Sequence, residues 1–412
     1  MKYGCIGEVL AHSFSKEIHN SISDYEYELK EIPKDKLEEF MTNRDFRAIN
    51  VTIPYKEAVI PYLYYIDHAA KAIGAVNTIV NKDGRLYGYN TDFYGMSMLI
   101  AHAGIDLKGK KVAILGTGGT SKTAKAVAEA LSAKEILIVS RTKKNDIITY
   151  EELYEKHKDV EIIINTTPLG MFPNNFKSPV DITEFRELSG VIDAVYNPLD
   201  TCLISDAKKR GIKAEGGLYM LVAQGVLASE IFLDKKYEEG KLDAVFRKIK
   251  KQKENIVLIG MPSSGKSTIG KEVAKRLGRS FYDTDEVIEQ NAGAKIPEII
   301  KTKGEEAFRC LEREAVAEVS KETGVVIATG GGVVLNKENT RCLSQNGRIY
   351  FLDRPLELLL PTEDRPLTAT AEALEKKYNE RYDIYVESAN KKIDASGDVA
   401  TVSDAVMGEF EK

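Results

Sequence analysis

The chain has 412 residues, of which 43% are hydrophobic and 29% charged, and its formal net charge is −5 at pH 7. This composition predicts about two or three globular domains and gives no general nucleic-acid footprint. Four scattered cysteines argue against a disulfide framework or a zinc cluster. The sequence has no signal-peptide pattern and no apolar run of roughly 18 residues. We therefore expect a cytoplasmic protein that binds neither nucleic acid nor a membrane.

The first 95 residues follow an α/β pattern and contain four segments rich in hydroxyl, amide and charged side chains. Such groups would hydrogen-bond a small polyhydroxylated acid. Taken alone, each segment is equally compatible with a cap or a turn, and Asn90-Thr91-Asp92 could simply cap a helix that begins near Phe93. The four segments are 13–20, 50–56, 74–78 and 90–92.

A strand–turn–helix–strand unit follows at residues 110–140. Its turn, Gly116-Thr117-Gly118-Gly119-Thr120-Ser121, would place a pyrophosphate on the helix N-terminus, although a plain turn has the same pattern. The second strand ends in Ser140-Arg141-Thr142-Lys143-Lys144 where an NAD site needs an acidic residue. This cluster suits the 2′-phosphate of NADP, and the alternative is a solvated basic loop.

Later apolar runs at 161–165 and 190–195 predict a parallel sheet that is buried on both faces. The helix at 218–232 is expected to pack back on the first lobe. The charged stretch 234–254 reads as a solvated helix and linker. The predicted boundaries are 1–95 plus return helices at about 216–250, then 96–215, then 255–412.

Residues 260–267 match the phosphate-binding loop G-x-x-x-x-G-K-[ST], between an apolar strand and a helix. Lys266 can reach the β- and γ-phosphates of a nucleotide, and the Ser267 hydroxyl can hold Mg²⁺. Asp283 and Asp285 follow; on a strand end they would point the same way, and the alternative is a helix cap. Three glycines at 330–332 end another buried strand, and residues 361–373 could form a lid.

Residues 1 to about 245 resemble shikimate dehydrogenase, through the segments above and those at 165–171, 193–198 and 217–224. The resemblance implies NADPH-dependent reduction of 3-dehydroshikimate to shikimate, by an N-terminal α/β substrate lobe and a Rossmann-type NADP-binding lobe. Ser140 departs from the family, which often has asparagine before Arg-Thr.

The dehydrogenase resemblance assigns a catalytic pair, substrate contacts and cofactor contacts. The catalytic pair is Lys56 and Asp92. Both also contact the substrate, together with Ser13, Ser15, Thr52, Asn77, Tyr196 and Gln224. NADP is held by Gly116, Thr117, Gly118, Gly119, Thr120, Ser140, Arg141, Thr142, Lys143, Thr166, Gly217 and Met220.

Residues 254–412 resemble shikimate kinase, through F-x-D-[ST]-D, G-E-x-x-F-R, G-G-G and R-P-L in order. This implies a P-loop domain of the nucleoside-monophosphate-kinase kind, with a parallel sheet, flanking helices, ATP and Mg²⁺. The resemblance assigns catalysis to Lys266, Asp285 and Arg365, and it assigns metal binding to Ser267 and Asp283. Shikimate is held by Asp285, Arg309, Gly331, Gly332 and Arg381; ATP by Pro262, Ser263, Ser264, Gly265, Lys266, Ser267, Thr268 and Arg365.

The kinase match has two departures. Leu360-Pro361-Thr362 stands where the family often carries an arginine near the adenine, and Asp383 replaces the proline of R-x-P-x-Y. Arg381 alone would also fit a solvated arginine.

The whole sequence predicts a bifunctional enzyme of aromatic amino acid biosynthesis, the shikimate pathway. Two alternatives stay open. One half has lost its chemistry and only senses nucleotide or shikimate, or the first half acts on quinate with NAD. Arg141 and Lys143 argue against the second alternative. The sequence gives no basis for predicting the oligomeric state.

Overall fold

The computed structural model describes residues 1–10, 14–144, 146–359 and 370–412. The chain divides into two compact units, Met1–Lys250 and Lys251–Lys412. Across these described ranges, no helix is both long enough and apolar enough to span a membrane.

The first unit begins with a mixed six-stranded sheet in the order β2-β1-β3-β5-β6-β4. Its strands are β1 (Tyr3–Gly7), β2 (Tyr27–Glu31), β3 (Ala48–Val51), β4 (Tyr65–Ile66), β5 (Thr78–Lys82) and β6 (Arg85–Tyr89). The helices of this lobe are α1 (Ser15–Ile22), α2 (Leu37–Asn43) and α3 (His68–Ile73).

Strand direction brings the predicted polar segments of this lobe to one edge of the sheet. β3 runs parallel to β1, and Thr52 and Lys56 follow the end of β3. β5 runs antiparallel to β3, so Asn77, just before β5, returns to the same edge. β6 reverses again, and its end leads to Asn90 and Asp92. Three segments that are distant in sequence therefore meet.

The second sheet is entirely parallel, in the order β12-β11-β10-β7-β8-β9. Its strands are β7 (Lys111–Leu115), β8 (Glu135–Ser140), β9 (Ile147–Thr149), β10 (Ile162–Asn165), β11 (Gly190–Asp193) and β12 (Lys213–Glu215). Its helices are α4 (Asp92–His102), α5 (Gly119–Ala130), α6 (Tyr150–Lys156) and α7 (Cys202–Lys209). The prediction of buried parallel strands is confirmed, since β10 and β11 are buried throughout. The strand order reverses between β7 and β10, the place where such sheets bind dinucleotides.

Two helices close the first unit. α8 (Leu218–Leu233) packs against α1 and α4, as the sequence predicts. α9 (Lys241–Lys253) buries Phe246, whose ring centroid lies 4.9 Å from that of Tyr219. The Tyr219 hydroxyl donates to Asp243 at 2.7 Å. The expectation of a solvated helix in this stretch is therefore wrong for the apolar face of α9.

The second unit has a five-stranded parallel sheet in the order β14-β15-β13-β16-β17. Its strands are β13 (Asn255–Ile259), β14 (Phe281–Asp283), β15 (Val326–Ala328), β16 (Gly347–Asp353) and β17 (Lys391–Asp394). The flanking helices are α10 (Lys266–Leu277), α11 (Thr284–Ala292), α12 (Ile296–Val319), α13 (Lys337–Asn346), α14 (Ala371–Ser388) and α15 (Val399–Glu411). The central strand β13 is buried along its whole length. The phosphate loop follows directly after this strand, at the middle of the sheet.

Candidate active sites

A cavity of about 90 Å³ lies at the polar edge of the first sheet. Five of the predicted substrate residues line it: Ser15, Thr52, Lys56, Asn77 and Gln224. Tyr196 packs its ring against Phe14, with centroids 5.3 Å apart, next to Ser15. Ser13, also predicted, lies outside the described residues.

An ion pair joins the two predicted catalytic residues at this cavity. Lys56 Nζ lies 2.6 Å from Asp92 Oδ2, and the Asp92 side chain is only 12% exposed. Asn90 Oδ1 accepts the Asp92 backbone N–H at 2.9 Å, while Asn90 Nδ2 donates to the Ala75 carbonyl at 2.9 Å. Asn90, which precedes the N-cap residue Thr91, therefore binds the first backbone N–H of α4 and fixes Asp92. A lysine ammonium held by a buried carboxylate can donate a proton to a developing oxyanion.

Asn77 is oriented by the segment that carries Asp92. Its Oδ1 accepts the Thr91 N–H at 2.8 Å and the Thr78 hydroxyl at 3.1 Å. Because protein donors occupy the carboxamide oxygen, the amide nitrogen is the atom that can donate to a ligand. Thr91 also lines the cavity, although the sequence reasoning gave it no role.

One wall of the cavity is formed by a buried network around His19, a residue of the predicted segment 13–20 to which the sequence reasoning gave no individual role. The His19 ring stacks on Tyr27 with centroids 3.9 Å apart, and its Nδ1 lies 2.5 Å from the Tyr25 hydroxyl. Tyr27 donates to Asn50 Oδ1 at 2.7 Å. Burial lowers the pKa of His19 to about 3, and burial raises the pKa of Cys5 to about 12. Both groups are therefore neutral near pH 7, and Lys56 and Asp92 carry the charge at this cavity.

The glycine turn of the second sheet has the geometry of an anion site. Gly116 has φ 109°, and a Cβ there would lie 2.9 Å from Thr166 Oγ1. The Thr166 hydroxyl in turn donates to the Leu115 carbonyl at 2.6 Å. α5 starts at Gly119, and no side chain caps its N-terminus. Its first backbone N–H groups can therefore bind a phosphate. Thr117, Gly118 and Thr120 belong to the same turn.

The basic loop after β8 presents fewer uncompensated cations than the sequence predicts. Lys143 Nζ lies 2.5 Å from Glu152 Oε1, which lowers the pKa of that carboxyl to about 2. No ion pair is recorded for Arg141 within the described ranges, and its side chain is exposed. The Thr142 N–H donates to Ser140 Oγ at 3.3 Å. Arg141 is thus a cation of this loop that can serve an incoming phosphate, and the exposed Lys144 is another.

Two further predicted residues lie where α8 begins. Gly217 precedes the helix, and a Cβ there would lie 2.3 Å from the Ala194 carbonyl oxygen. This close approach requires glycine. Met220 is buried against Gly95 of α4.

The second unit contains a cavity of about 610 Å³ above the phosphate loop. Lys266 Nζ donates to the carbonyls of Gly260 and Met261 at 3.0 and 2.8 Å. The lysine therefore lies over the loop that would hold the phosphates. Ser264 is fully buried beneath the loop, and the other predicted ATP residues that the structure describes line the cavity: Pro262, Ser263, Gly265, Lys266, Ser267 and Thr268.

Asp283 and Asp285 have different positions. The structure bears out the helix-cap alternative, because β14 ends at Asp283, α11 begins at Thr284 and Asp283 is the N-cap residue of α11. Asp283 Oδ1 accepts the Asp285 N–H at 3.0 Å, and Asp283 Oδ2 lies 2.5 Å from the Ser267 hydroxyl. Hydroxyl and carboxylate oxygens are ligands that Mg²⁺ prefers, so this pair fits the metal. Asp285 lines the cavity beside Gly330.

The far wall of this cavity carries the two predicted arginines. Arg309 Nη1 lies 3.0 Å from both carboxylate oxygens of Glu312, and its Nη2 lies 3.0 Å from Glu305. A Cβ at Gly332 would lie 2.1 Å from Arg309 Nη1, so only glycine leaves room for the guanidinium. Arg381 Nη1 donates to the Gly331 carbonyl at 3.0 Å.

Four charged residues that line this cavity were given no role by the sequence reasoning; two are Glu286 and Glu289, and the other two are Glu312 and Lys377. Glu312 is 2% exposed, and burial raises its pKa. Lys377 of α14 lines the cavity. Glu312 and Lys377 lie on helices that contain many charged residues. Only their packing distinguishes them from neighbours that are exposed to solvent. Arg365, predicted to bind ATP, lies outside the described residues.

Two family models match the chain. Residues 5–79 match the shikimate dehydrogenase substrate binding domain, and residues 262–410 match shikimate kinase. A curated relative, the shikimate dehydrogenase (NADP(+)) of Clostridium perfringens strain SM101, is 40% identical over 266 residues. That alignment covers 60% of this chain and 98% of the relative.

Solved structures give the same result for the first unit. A chorismate mutase/shikimate 5-dehydrogenase fusion protein from Clostridium acetobutylicum is 34% identical with a TM-score of 0.57, covering 60% of this chain and 97% of that one. Shikimate 5-dehydrogenase from Thermus thermophilus, in complex with NADP(H) and shikimate, is 28% identical with a TM-score of 0.54. The match covers 60% of this chain and 99% of that chain.

Buried His19 predicts an acid-sensitive first unit. Its pKa is about 3 in the folded chain, whereas an unfolded histidine titrates near pH 6.5. The stability that a neutral His19 provides is complete above about pH 6.5 and is lost as the pH falls towards 3, by at most roughly 1.4 kcal/mol per pH unit. Urea unfolding followed by circular dichroism should show a smaller loss between pH 7 and pH 5 for His19→Gln than for the wild type.

The matched control is His68→Gln, which changes an exposed histidine at the start of α3. This variant should keep the wild-type pH dependence. An unchanged pH dependence in His19→Gln would contradict the assignment of acid sensitivity to this ring.

Proposed function

We propose two consecutive reactions for this chain, which belongs to the shikimate dehydrogenase family over its N-terminal 60% and carries a shikimate kinase domain at residues 262–410. The first unit reduces 3-dehydroshikimate to shikimate with NADPH. The second unit phosphorylates shikimate to shikimate 3-phosphate with ATP and Mg²⁺. One observation carries the proposal: each unit has its own cavity, at which the charged groups that its family's chemistry requires converge.

In the first unit, Lys56 and Asp92 perform the proton chemistry. NADPH supplies the hydride that adds to the substrate ketone, and negative charge then develops on the ketone oxygen. Lys56 stabilises this charge and donates the proton, while Asp92, 2.6 Å away, holds the ammonium in position. The hydroxyl and amide groups of Ser15, Thr52 and Gln224 orient the ring, with Asn77 donating from its amide nitrogen.

Residues that follow the carboxyl ends of β7 and β8 would hold the dinucleotide. The turn from Gly116 to Thr120 and the N-terminus of α5 bind the pyrophosphate through backbone N–H groups. Arg141 binds the 2′-phosphate and so favours NADP over NAD. Lys143 contributes less because Glu152 already compensates its charge.

In the second unit, the phosphate loop binds ATP and α14 and α12 bind the acceptor. Mg²⁺, when bound by Ser267 and Asp283, adds positive charge beside the phosphates. Lys266 stabilises the transferring phosphoryl group. Asp285 lines the cavity and orients the attacking hydroxyl of shikimate, and Arg381 binds its carboxylate. Arg365 stays a proposal from the sequence alone.

We also propose that the chain works in the cytoplasm. Support comes from the cysteines: all four are described, three are buried, and no disulfide joins any of them. A reducing compartment keeps thiols in this state.

Lys56→Ala and Lys266→Ala should each remove one reaction and spare the other. Lys56→Ala should lower kcat for ketone reduction by at least about 10²-fold, because the proton donor is lost, and leave shikimate phosphorylation near wild type. Lys266→Ala should do the reverse. NADPH oxidation and ADP release, measured separately on the full chain, report the two activities, and each variant is the folding control for the other. Near-normal reduction by Lys56→Ala would contradict its catalytic role.

Arg141→Ala should raise KM for NADPH by roughly 10–150-fold, the cost of a lost charge-assisted contact, and leave KM for NADH nearly unchanged. Lys143→Ala is the matched variant in the same loop, and its effect on NADPH should be smaller because Glu152 holds that ammonium. Initial rates of 3-dehydroshikimate reduction with each nucleotide provide the measurement. Equal effects of Arg141→Ala on NADPH and NADH would show that Arg141 does not bind the 2′-phosphate.

A further inference from the structure

Arg309 and Arg381 lie on one wall of the cavity in the second unit. The protein itself already compensates the charge of Arg309. Arg309 forms 3.0 Å contacts with both oxygens of Glu312 and with Glu305. Glu312 is 2% exposed, so this pairing lies inside the protein and is only weakly screened by solvent. Arg309 can still donate hydrogen bonds, but with its two carboxylates it adds no net positive charge to the cavity.

Arg381 differs from Arg309 in this respect. It is 6% exposed, and its Nη1 donates to the neutral Gly331 carbonyl at 3.0 Å. Within the described part of the chain, no carboxylate forms an ion pair with it. Its charge is therefore available to an anionic ligand.

Lys377 is a second cation of this kind. It precedes Arg381 by four residues on α14, a spacing that places both side chains on one face of the helix, and both line the cavity. Among the described residues, Lys377 has no recorded ion pair or hydrogen bond. Its half-burial and the nearby guanidinium groups of Arg381 and Arg309 lower its pKa. The carboxylates of Glu305 and Glu380 act on this pKa in the opposite direction. Neither of these described carboxylates forms an ion pair with Lys377, so its ammonium, like the Arg381 guanidinium, is placed to pair with an anion in the cavity.

We propose that Lys377 is a substrate-binding residue of the second unit and, together with Arg381, provides the uncompensated positive charge that binds the carboxylate of shikimate. This inference rests on the proposed kinase function and adds a residue to its acceptor site. Arg309, held by Glu312 and Glu305, then provides geometry and hydrogen bonds instead of net charge.

The test is Lys377→Met in the full chain, with shikimate as the varied substrate at saturating ATP and Mg²⁺. No nicotinamide nucleotide is added, so the first unit stays silent. KM for shikimate should rise by about 10-fold or more, as expected for a lost charge-assisted contact, while KM for ATP stays within about two-fold. Lys377→Arg should recover most of the affinity for shikimate.

The neighbouring Lys376 offers a matched control. Its side chain is 77% exposed and is paired with Glu380 at 3.9 Å. Lys376→Met removes the same charge from the same turn of α14, on its solvent face. It should leave KM for shikimate at the wild-type value.

The methyl ester of shikimate separates carboxylate recognition from a general loss of the site. Wild type and Lys377→Met should have similar KM values for this neutral ester. The inference is overturned if Lys377→Met leaves KM for shikimate unchanged or raises KM for ATP instead. It is also overturned if Lys377→Met raises KM for the methyl ester as much as KM for shikimate. If the wild-type chain phosphorylates neither compound, the proposed kinase function itself fails, and the inference fails with it.

Discussion

Parallel strands that end at a common edge are the constraint on which both units depend. In each unit a buried central strand, β7 or β13, runs into a glycine turn and then into the N-terminus of a helix. Backbone N–H groups at such a helix start are not used within the helix, so they are available to phosphate. The glycines at 116 and 260 have φ 109° and 151°, conformations that other residues rarely adopt. The chain therefore uses one physical solution twice, for two different nucleotides.

Internal carboxylates then decide which cations are left for a ligand. Asp92 holds Lys56 at the edge of the first cavity without burying the pair completely, so the lysine stays within reach of a substrate. Glu312, which is 2% exposed, compensates Arg309 inside the second unit. Because an ion that is paired inside the protein gains less from a second anion, a count of basic residues overstates the charge that a ligand meets.

The sequence was sufficient for the architecture and for much of both sites, because glycine turns and short polar motifs are local signals. Lys56 and Asp92 are 36 residues apart, yet each lies in a motif that can be read by itself. Glu312 and Lys377 could not be found in this way, and the contacts of His19, which lies in the predicted segment 13–20, could not be either. Nothing in the local pattern distinguishes Glu312 from exposed glutamates on α12, and its burial depends on packing across the sheet. The ion pair of Lys143 with Glu152, which lies on a different element, was likewise not visible in the local pattern.

The pairing of two chemistries in one chain is coherent because the product of the first reaction is the acceptor in the second. The most direct test supplies the full chain with 3-dehydroshikimate, NADPH, ATP and Mg²⁺ and follows NADPH oxidation while mass spectrometry identifies the products. The account predicts shikimate 3-phosphate, formed with the oxidation of one NADPH and the release of one ADP for each molecule. Accumulation of shikimate without its phosphate, or no oxidation of NADPH, would contradict the claim that both units are active enzymes.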